Sequence, residues 1–306
     1  MNKADMMALV AQLAMEVDKP PMAIPPESKG IYTPTREGPQ AKDYHHRDGD
    51  FVEDVSELDL RKLYLTDTPE NRANFAILKE QTPARLGSGK AGPRYKTLTM
   101  LRFRADHAAA QDSVFSQLPQ DFGPKNGLIP VQTMCQDKDE YLTRPDLGRK
   151  FDETNAAVLA RELPQGAKVQ IVVGDGISSE AIRANAMPCV EAMRKALRAK
   201  GLDCEKIPFV RYCRVGAGDA IGDITRCQVV CVLVGERPGL VTNESMSAYI
   251  TYKPHTGVSE SARTVVSNIH SQGMPADKAG EHIAGLLELI LRKQVSGVEL
   301  HLEEQK

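Results

Sequence analysis

The sequence predicts an α/β protein with a Rossmann-like open sheet in its C-terminal half. A small helical domain and an N-terminal tail of one helix and a linker precede that sheet. Beyond residue 161, β-branched runs alternate with helical periodicity. Helical patterns fill residues 51–160, and prolines crowd the first 40 residues. The predicted divisions are therefore a tail over 1–50, a helical domain over 51–160 and an α/β domain over 161–306.

Composition limits the classes of function. The 306 residues include 39 Lys and Arg against 41 Asp and Glu, and the net charge of −2 gives no general attraction to nucleic acid or anionic membranes. Trp is absent and aromatic residues make up only 5%, which leaves little material for stacking bases. No apolar run approaches the ~20 residues of a membrane span. We therefore expect neither a nucleic-acid partner nor a membrane partner.

The cysteine pattern favours core residues in a reducing compartment. None of the six forms a C-x-x-C pair, so the sequence predicts no zinc site. We expect buried, reduced thiols and an intracellular protein. The cysteines are Cys135, Cys189, Cys204, Cys213, Cys227 and Cys231, of which Cys213 and Cys231 lie in strand-like runs.

The N-terminal tail combines a helix with a linker. Apolar residues at helical spacing predict an amphipathic helix over residues 3–17. Six of the 19 prolines follow within the first 40 residues and indicate a linker. Asp5 stands where a signal peptide would be basic. A helix this short cannot bury its own apolar stripe, so it docks either on another protein or on its own body.

Two helices are expected before the first glycine-rich turn. The pattern predicts one over residues 55–66, with Ser56 as the N-cap. Pro69 opens a second helix that runs to about residue 80. The turn over residues 82–94 holds Arg85, Lys90 and Arg94. It fits an anion site, a contact surface for an acidic partner or an ordinary basic turn, and it lacks the spacing of a Walker A loop.

Two further helices complete the predicted helical domain. The first covers residues 98–115 and carries His107 among charged residues. We interpret His107 as a polar or interface histidine, because no nucleophile or metal partner is identifiable near it in the sequence. The second helix begins at Asp152 or Glu153 and continues through Arg161.

The C-terminal half predicts strands separated by helices. Ser178 caps a helix that runs toward residue 200, and the last helix covers residues 276–294. Ligands of open α/β sheets bind beyond the carboxyl ends of the strands, so the loops at those ends are the candidate site. The predicted strands cover residues 169–173, 209–215, 229–234, 249–252 and 264–269.

A glycine-rich stretch follows the second of these strands. Gly216, Gly218 and Gly222 imitate a dinucleotide fingerprint, but one extra residue precedes the last glycine. The stretch also follows the second predicted strand rather than the first. This pattern is weak evidence for NAD binding.

A series of motifs, in order along the chain, resembles one known family. The sequence closely resembles the small (light) subunit of ethanolamine ammonia-lyase over about residues 60–299. The first 60 residues resemble the family only in their general organisation, a short helix followed by a variable linker. The motifs include residues 84–87 (ARLG), 92–94 (GPR), 101–103 (LRF), 106–108 (DHA), 141–146 (YLTRPD), 173–178 (VGDGIS), 209–212 (FVRY), 234–240 (VGERPGL) and 267–270 (SNIH).

The resemblance implies an activity, a cofactor and a partner. Enzymes of this family use adenosylcobalamin to convert ethanolamine to acetaldehyde and ammonia by a radical mechanism. The resemblance places the substrate site in the large subunit and gives the small subunit a share of cobalamin binding at the interface between the two. It implies cobalamin contacts at Val215, Glu236 and Val265 and no catalytic or metal-ligating residue in this chain. Arg214 and Arg237 are secondary candidates, for which a structural salt bridge is an equal alternative.

The resemblance also bears on the tail. Family members often reside in ethanolamine-utilisation microcompartments of the bacterial cytoplasm, so it implies docking of residues 3–17 on the shell or its cargo. Asp43 and His45 match the start of D-x-H-x-x-G, in which a histidine binds cobalt, but Asp48 occupies the glycine position. We interpret this segment as linker, in agreement with a family that keeps the cofactor's own base on the metal.

Three hypotheses follow from the sequence. The first is a cobalamin-binding subunit of a two-subunit lyase. The second is a stand-alone Rossmann-like nucleotide-binding enzyme, and the third is a non-enzymatic interaction module that uses the basic turn and the terminal helix. The absence of a recognisable acid–base or nucleophile constellation in the sequence favours the first, because the chemistry would then belong to the partner and the cofactor.

Overall fold

The computed structural model describes residues 54–60, 62–63, 65–66 and 72–300. The predicted helix over 3–17, the proline-rich linker, the motif at Asp43 to Asp48 and the helix start at Pro69 lie outside these residues. The chain divides between Ala105 and Asp106 into two compact units. Among the described residues, none of the helices combines the length and the apolar character that crossing a bilayer requires.

The first described element of this unit is a single 3₁₀ turn, Val55–Glu57, where the sequence predicted a helix over 55–66. That prediction was wrong, as was the N-cap: the Asp54 carboxylate accepts a hydrogen bond from the Ser56 N–H at 2.8 Å. The Arg102 guanidinium donates to the carbonyl oxygens of Val55, Ser56 and Leu58. Because those are the oxygens that a continuing helix would use, the turn ends there.

The rest of the first unit contains a helix, a short hairpin and the start of a long helix. These elements are α1 (Arg72–Glu80), β1 (Lys90–Ala91), β2 (Arg94–Tyr95) and α2 (Thr97–Phe115), and the division between the units falls within α2.

The basic turn packs on its neighbours. A Cβ atom at Gly89 would lie 2.3 Å from the Leu65 carbonyl oxygen, so this position requires glycine. The Lys90 ammonium lies 5.9 Å from the ring centroid of Tyr95. These contacts within the first unit supply a structural reason for the glycine and for one of the cations.

The second unit is built on a six-stranded sheet in the order β3-β5-β4-β6-β7-β8. The pairs from β3 to β6 are parallel, and the two pairs from β6 to β8 are antiparallel. This mostly parallel sheet confirms the α/β class, and the Rossmann-like assignment stays a prediction. The strands are β3 (Ile129–Gln132), β4 (Val169–Asp175), β5 (Pro208–Arg211), β6 (Val229–Gly235), β7 (Met246–Tyr252) and β8 (Arg263–Ile269).

One strand prediction needs correction, and one strand was not predicted. The predicted strand over 209–215 ends at Arg211, because Tyr212 turns the backbone to a φ of 55°. Cys213 is therefore a buried residue of the following loop rather than of a strand. The short edge strand β3, which contains Pro130, was not predicted.

Helices cover both faces of the sheet. The long helix starts at Ser178 as predicted, where the serine Oγ accepts a hydrogen bond from the Ala181 N–H at 3.2 Å. This helix and the helix over residues 276–293 pack on the face that carries Ile171 and Cys231. The helices over residues 153–162 and 217–225 pack on the opposite face, which carries Val172 and Val232. The helices of this unit that follow α2 are α3 (Phe122–Lys125), α4 (Lys138–Thr143), α5 (Glu153–Glu162), α6 (Ser179–Ala199), α7 (Ala217–Thr225) and α8 (Ala276–Lys293).

The six cysteines are buried and free of disulfides, as predicted. Burial raises the pKa of the Cys189 thiol to about 12 and that of Cys204 to about 11. The closely spaced Cys227 and Cys231 are both buried and lie with Cys189 and Cys204 in the interior of the second unit. The sequence interpretation of these residues as core thiols is therefore confirmed.

Candidate functional site

The carboxyl ends of β6 and β8 meet at one edge of the sheet. Each strand pairs antiparallel with β7, so the two run in the same direction, and Gly235 and Ile269 both lie opposite Met246. Glu236 and Asn268 are therefore neighbours, although 32 residues separate them in the sequence. This edge corresponds to the place where an open α/β sheet binds its ligands.

The Glu236 side chain is held by two short hydrogen bonds. Its Oε1 accepts from the Ser247 hydroxyl at 2.6 Å and from the Asn268 backbone N–H at 2.7 Å. Its own backbone N–H donates to the Ser245 carbonyl at 2.8 Å. Because both side-chain bonds go to Oε1, Oε2 remains available within the described residues as an acceptor in a fixed position.

Val265 faces the same side of the sheet as Glu236. Val266 packs into the core on the α6 and α8 side, so the alternation of a strand directs Val265 to the other side. Val265 lies opposite Tyr249 on β7, and Tyr249 lies opposite Val232 on β6. The Val265 side chain is 47% exposed there. It lies within β8 rather than in the loop after that strand.

Val215 approaches this side of the sheet from the loop after β5. Val215 and Tyr249 are partly buried and pack against the core beneath α5 and α7. Burial, and then the negative charge of Glu236, raise the pKa of Tyr249. The phenol therefore stays protonated at neutral pH and can donate a hydrogen bond. Val215, Glu236 and Val265 thus border one side of the sheet, with Tyr249 among them.

The two secondary candidates have different surroundings. The Arg214 Nη2 donates to the Tyr141 carbonyl at 2.6 Å, and the guanidinium carbon lies 4.1 Å from the Tyr141 ring centroid. Arg237 is exposed and lines a cleft of about 360 Å³ with His107 and Pro238. Neither arginine forms an ion pair within the described residues. His107 is itself exposed on α2.

A buried ion pair ties α7 to β8 beside the candidate residues. Arg263 donates through both Nη atoms to the Asp219 carboxylate, at 2.8 Å each, and through Nε to Glu260 at 2.7 Å. The Arg263 Nη1 also donates to the Thr251 hydroxyl at 3.1 Å. The carboxylates raise the pKa of Arg263, with Asp219 making the larger contribution, and keep the guanidinium charged.

The glycines of the dinucleotide-like stretch serve helix packing. A Cβ atom at Gly218 would lie 2.5 Å from the Val232 Cγ2, and one at Gly222 would lie 2.3 Å from the Pro254 carbonyl oxygen. Gly216 lies against the Arg149 side chain. These close approaches bring α7 onto β6 and explain the glycines without a phosphate.

Comparison with known proteins matches most of the chain. The family model described as "Ethanolamine ammonia-lyase light chain (EutC)" matches residues 72–301. The small subunit from Clostridium perfringens is 54% identical over 251 residues, which cover 82% of this chain and 85% of that protein. This chain belongs to the ethanolamine ammonia-lyase light-chain family.

Other relatives agree with this family assignment. The small subunits from Clostridioides difficile and Listeria monocytogenes are 53% and 54% identical over 249 residues, covering 81% of this chain and 85% of each protein. The light-chain match includes Val215, Glu236 and Val265, and it begins after the predicted N-terminal helix and linker. The resemblance given by the sequence motifs is therefore confirmed for the segment that carries the candidate site.

The residues that orient Glu236 were not predicted from the sequence. Residues 267–270 were noted as a motif of the resemblance, with no link between Asn268 and Glu236. Ser247 was not singled out at all. The only sequence signal for this arrangement was that residues 234–240 and 267–270 lie at the ends of two predicted strands. The pairing of both strands with β7, which brings the two segments together, was not predicted.

Proposed function

We propose that this chain is the small subunit of an adenosylcobalamin-dependent ethanolamine ammonia-lyase, which converts ethanolamine to acetaldehyde and ammonia. Its role is to hold cobalamin at the interface with the large subunit through Val215, Glu236 and Val265. The observation that carries this proposal is Glu236: a carboxylate whose Oε1 is fixed by two hydrogen bonds and whose Oε2 is available, on the side of the sheet where Val265 is exposed.

The chemistry of these residues fits cobalamin. The corrin ring has an apolar edge surrounded by amide side chains, which donate N–H groups. Glu236 supplies a fixed acceptor for such a donor, and a charged acceptor makes the stronger kind of hydrogen bond. Val265 supplies exposed apolar surface, and Val215 offers a partly buried apolar side chain and its backbone groups. The small, uncharged side chain of Val265 can also lie close against the apolar edge of the corrin ring.

The proposal divides the chemistry between the subunits. Adenosylcobalamin, when bound, would supply the radical chemistry. The residues of this chain bind and orient: Glu236 accepts a hydrogen bond at a fixed point, and the valines exclude water from the apolar edge. The protonated Tyr249 phenol adds a hydrogen-bond donor on the same side of the sheet. Substrate binding belongs to the large subunit in this proposal.

The first test measures the activity of the assembled enzyme. Acetaldehyde release from ethanolamine is followed with adenosylcobalamin and the matching large subunit, with and without this chain. We expect activity to require both chains. A soluble complex that holds intact cofactor and releases no acetaldehyde would contradict the lyase role and would favour the nucleotide-binding or interaction-module hypotheses.

A second test addresses the site residues. Val265→Asp and Val298→Asp each place a carboxylate at an exposed valine, because the two side chains are 47% and 55% exposed. With the large subunit present, we expect Val265→Asp and Glu236→Ala to weaken hydroxocobalamin binding, measured by absorbance titration, and Val298→Asp to leave it unchanged. Equal effects of the two aspartates would contradict the assignment of Val265.

A further inference from the structure

The loop after β8 holds the Asn268 backbone in an uncommon conformation. Asn268 has a φ of 62°, in the left-handed region that asparagine tolerates better than most residues. In this conformation its N–H donates to the Glu236 Oε1 at 2.7 Å. The position of the Glu236 carboxylate therefore depends on how firmly Asn268 is held.

His270 holds the Asn268 side chain through a defined tautomer. The His270 Nδ1 lies 3.2 Å from the Gln272 backbone nitrogen, and its Nε2 lies 2.8 Å from the Asn268 Oδ1. A backbone N–H can only donate, so Nδ1 is the unprotonated acceptor and Nε2 carries the hydrogen. The Nε2–H therefore donates to the Asn268 Oδ1. The His270 ring is buried, so the surrounding core limits its rotation, whereas Asn268 is exposed.

Backbone bonds close the same loop tightly. The Met274 N–H donates to the Asn268 carbonyl at 2.9 Å, and the His270 N–H donates to the Met274 carbonyl at 3.1 Å. A Cβ atom at Gly273 would lie 2.3 Å from the Asn268 carbonyl oxygen and 2.9 Å from the His270 Nε2. The loop therefore leaves Asn268 and His270 little room to move.

We propose that Asn268 and His270 are positioning residues of the cobalamin site and act through Glu236. His270 fixes the Asn268 side chain, Asn268 directs its N–H at the Glu236 Oε1, and Oε2 is thereby presented to the ligand. This inference rests on the proposed function, because it assigns a task to the same carboxylate. It also assigns a role to the motif at residues 267–270, which contains none of the proposed cobalamin contacts.

A pair of matched substitutions separates the two ring nitrogens of His270. His270→Gln places an amide N–H near the position of Nε2 and keeps the donor to Asn268. His270→Asn places its amide near the position of Nδ1 and loses that donor. With the large subunit present, we expect hydroxocobalamin to bind the glutamine variant with an affinity near that of the parent. We expect the asparagine variant to bind it about ten-fold more weakly. This is the effect of losing one hydrogen bond from the series that runs from His270 through Asn268 to the charged Glu236.

A double-mutant cycle distinguishes positioning from general destabilisation. If His270 acts through Glu236, His270→Asn weakens binding in the parent protein and has no further effect in the Glu236→Ala background. Additive effects of the two substitutions would overturn the inference, as would equal affinities of the glutamine and asparagine variants. An unchanged affinity in Glu236→Ala itself would instead overturn the proposed site, so the two failures are distinguishable.

A variant at the exposed Asn268 keeps the test informative if His270→Asn does not fold. Asn268→Gly allows the left-handed backbone and retains the N–H, but it removes the Oδ1 that His270 holds. We expect it to unfold at a temperature close to that of the parent and to bind hydroxocobalamin about ten-fold more weakly. Parent-like affinity in this folded variant would overturn the role of the His270 to Asn268 bond.

Discussion

Arg263 on β8 and Asp219 on α7 form a bidentate ion pair inside the second unit, with both nitrogen–oxygen distances at 2.8 Å. Both side chains are buried. Asp219 follows Val215 by four residues, and Arg263 precedes Val265 by two. The pair therefore joins the two segments that carry the proposed valine contacts.

Breaking this pair should cost much of the stability of the protein. Arg263→Met leaves the Asp219 carboxylate buried without its partner, and such a loss typically costs about 3–5 kcal/mol. We expect that decrease in the free energy of unfolding, measured by urea denaturation. Lys125→Ala is the control, because its ion pair with Asp121 is exposed and should contribute about 1 kcal/mol or less. Similar small losses in both variants would contradict the importance of the buried pair.

The glycines of α7 provide a second prediction. Gly222→Ala would place a Cβ atom 2.3 Å from the Pro254 carbonyl oxygen, so the helix must shift. We expect the free energy of unfolding to fall by about 1–3 kcal/mol. Gly285→Ala on α8 has open space, and alanine there should raise it by up to about 1 kcal/mol. Thermal unfolding of the two variants measures the difference, and a stable Gly222→Ala protein would contradict the packing role.

The fold was predictable where its signals are local. The β-branched run of β4 and the apolar run of β6 predicted buried strands, and Ser178 marked the start of α6. The edge strand β3 was missed because it has four residues, one of them a proline. The predicted helix over 55–66 failed for a non-local reason: Arg102, more than 40 residues later in the chain, occupies the carbonyl oxygens that the helix needs.

The candidate site was predictable only as separate positions. The family resemblance named Val215, Glu236 and Val265, and the strand pattern placed loops near two of them. The hydrogen bonds of Ser247 and Asn268 to Glu236 depend on the antiparallel pairing of β6, β7 and β8. The tautomer of His270 depends on a loop of only seven residues, 268–274, whose closure requires Gly273. Neither relation has a counterpart in the spacing of the sequence.

The N-terminal tail leads to a prediction from sequence alone. The resemblance implies that residues 3–17 dock on a microcompartment shell or its cargo. On that hypothesis, removing residues 1–19 should leave acetaldehyde release by the purified complex intact and should move this chain from the shell fraction to the cytoplasmic fraction. A sharper version replaces Leu9 and Leu13 on the apolar stripe with glutamate, which disrupts docking without shortening the chain. Gln12→Glu, which leaves the apolar stripe unchanged, is the control. Lost activity with retained encapsulation would contradict the docking role.

The thiols give a prediction that depends on pH. Burial raises the pKa of Cys189 to about 12 and that of Cys204 to about 11, so at pH 8 their reactive thiolate fractions are about 10⁻⁴ and 10⁻³. We expect a disulfide reagent to modify none of the six cysteines of the native protein within minutes at pH 8, and all six after denaturation. An added cysteine at the exposed Val298 (Val298→Cys) should react within the same time and is the positive control.

The same pKa shifts give the sign of the stability change at alkaline pH. The folded state keeps these thiols protonated, whereas the unfolded chain releases their protons near pH 9. The stabilisation is therefore complete below pH 9 and is lost progressively as the pH rises from 9 through the folded-state pKa values. We expect Cys189 to lower the free energy of unfolding by about 1.4 kcal/mol for each pH unit above 9 until its own pKa is approached. Comparing Cys189→Ala with the parent protein from pH 8 to pH 11 isolates this contribution. Parallel stability curves for the two proteins would contradict it.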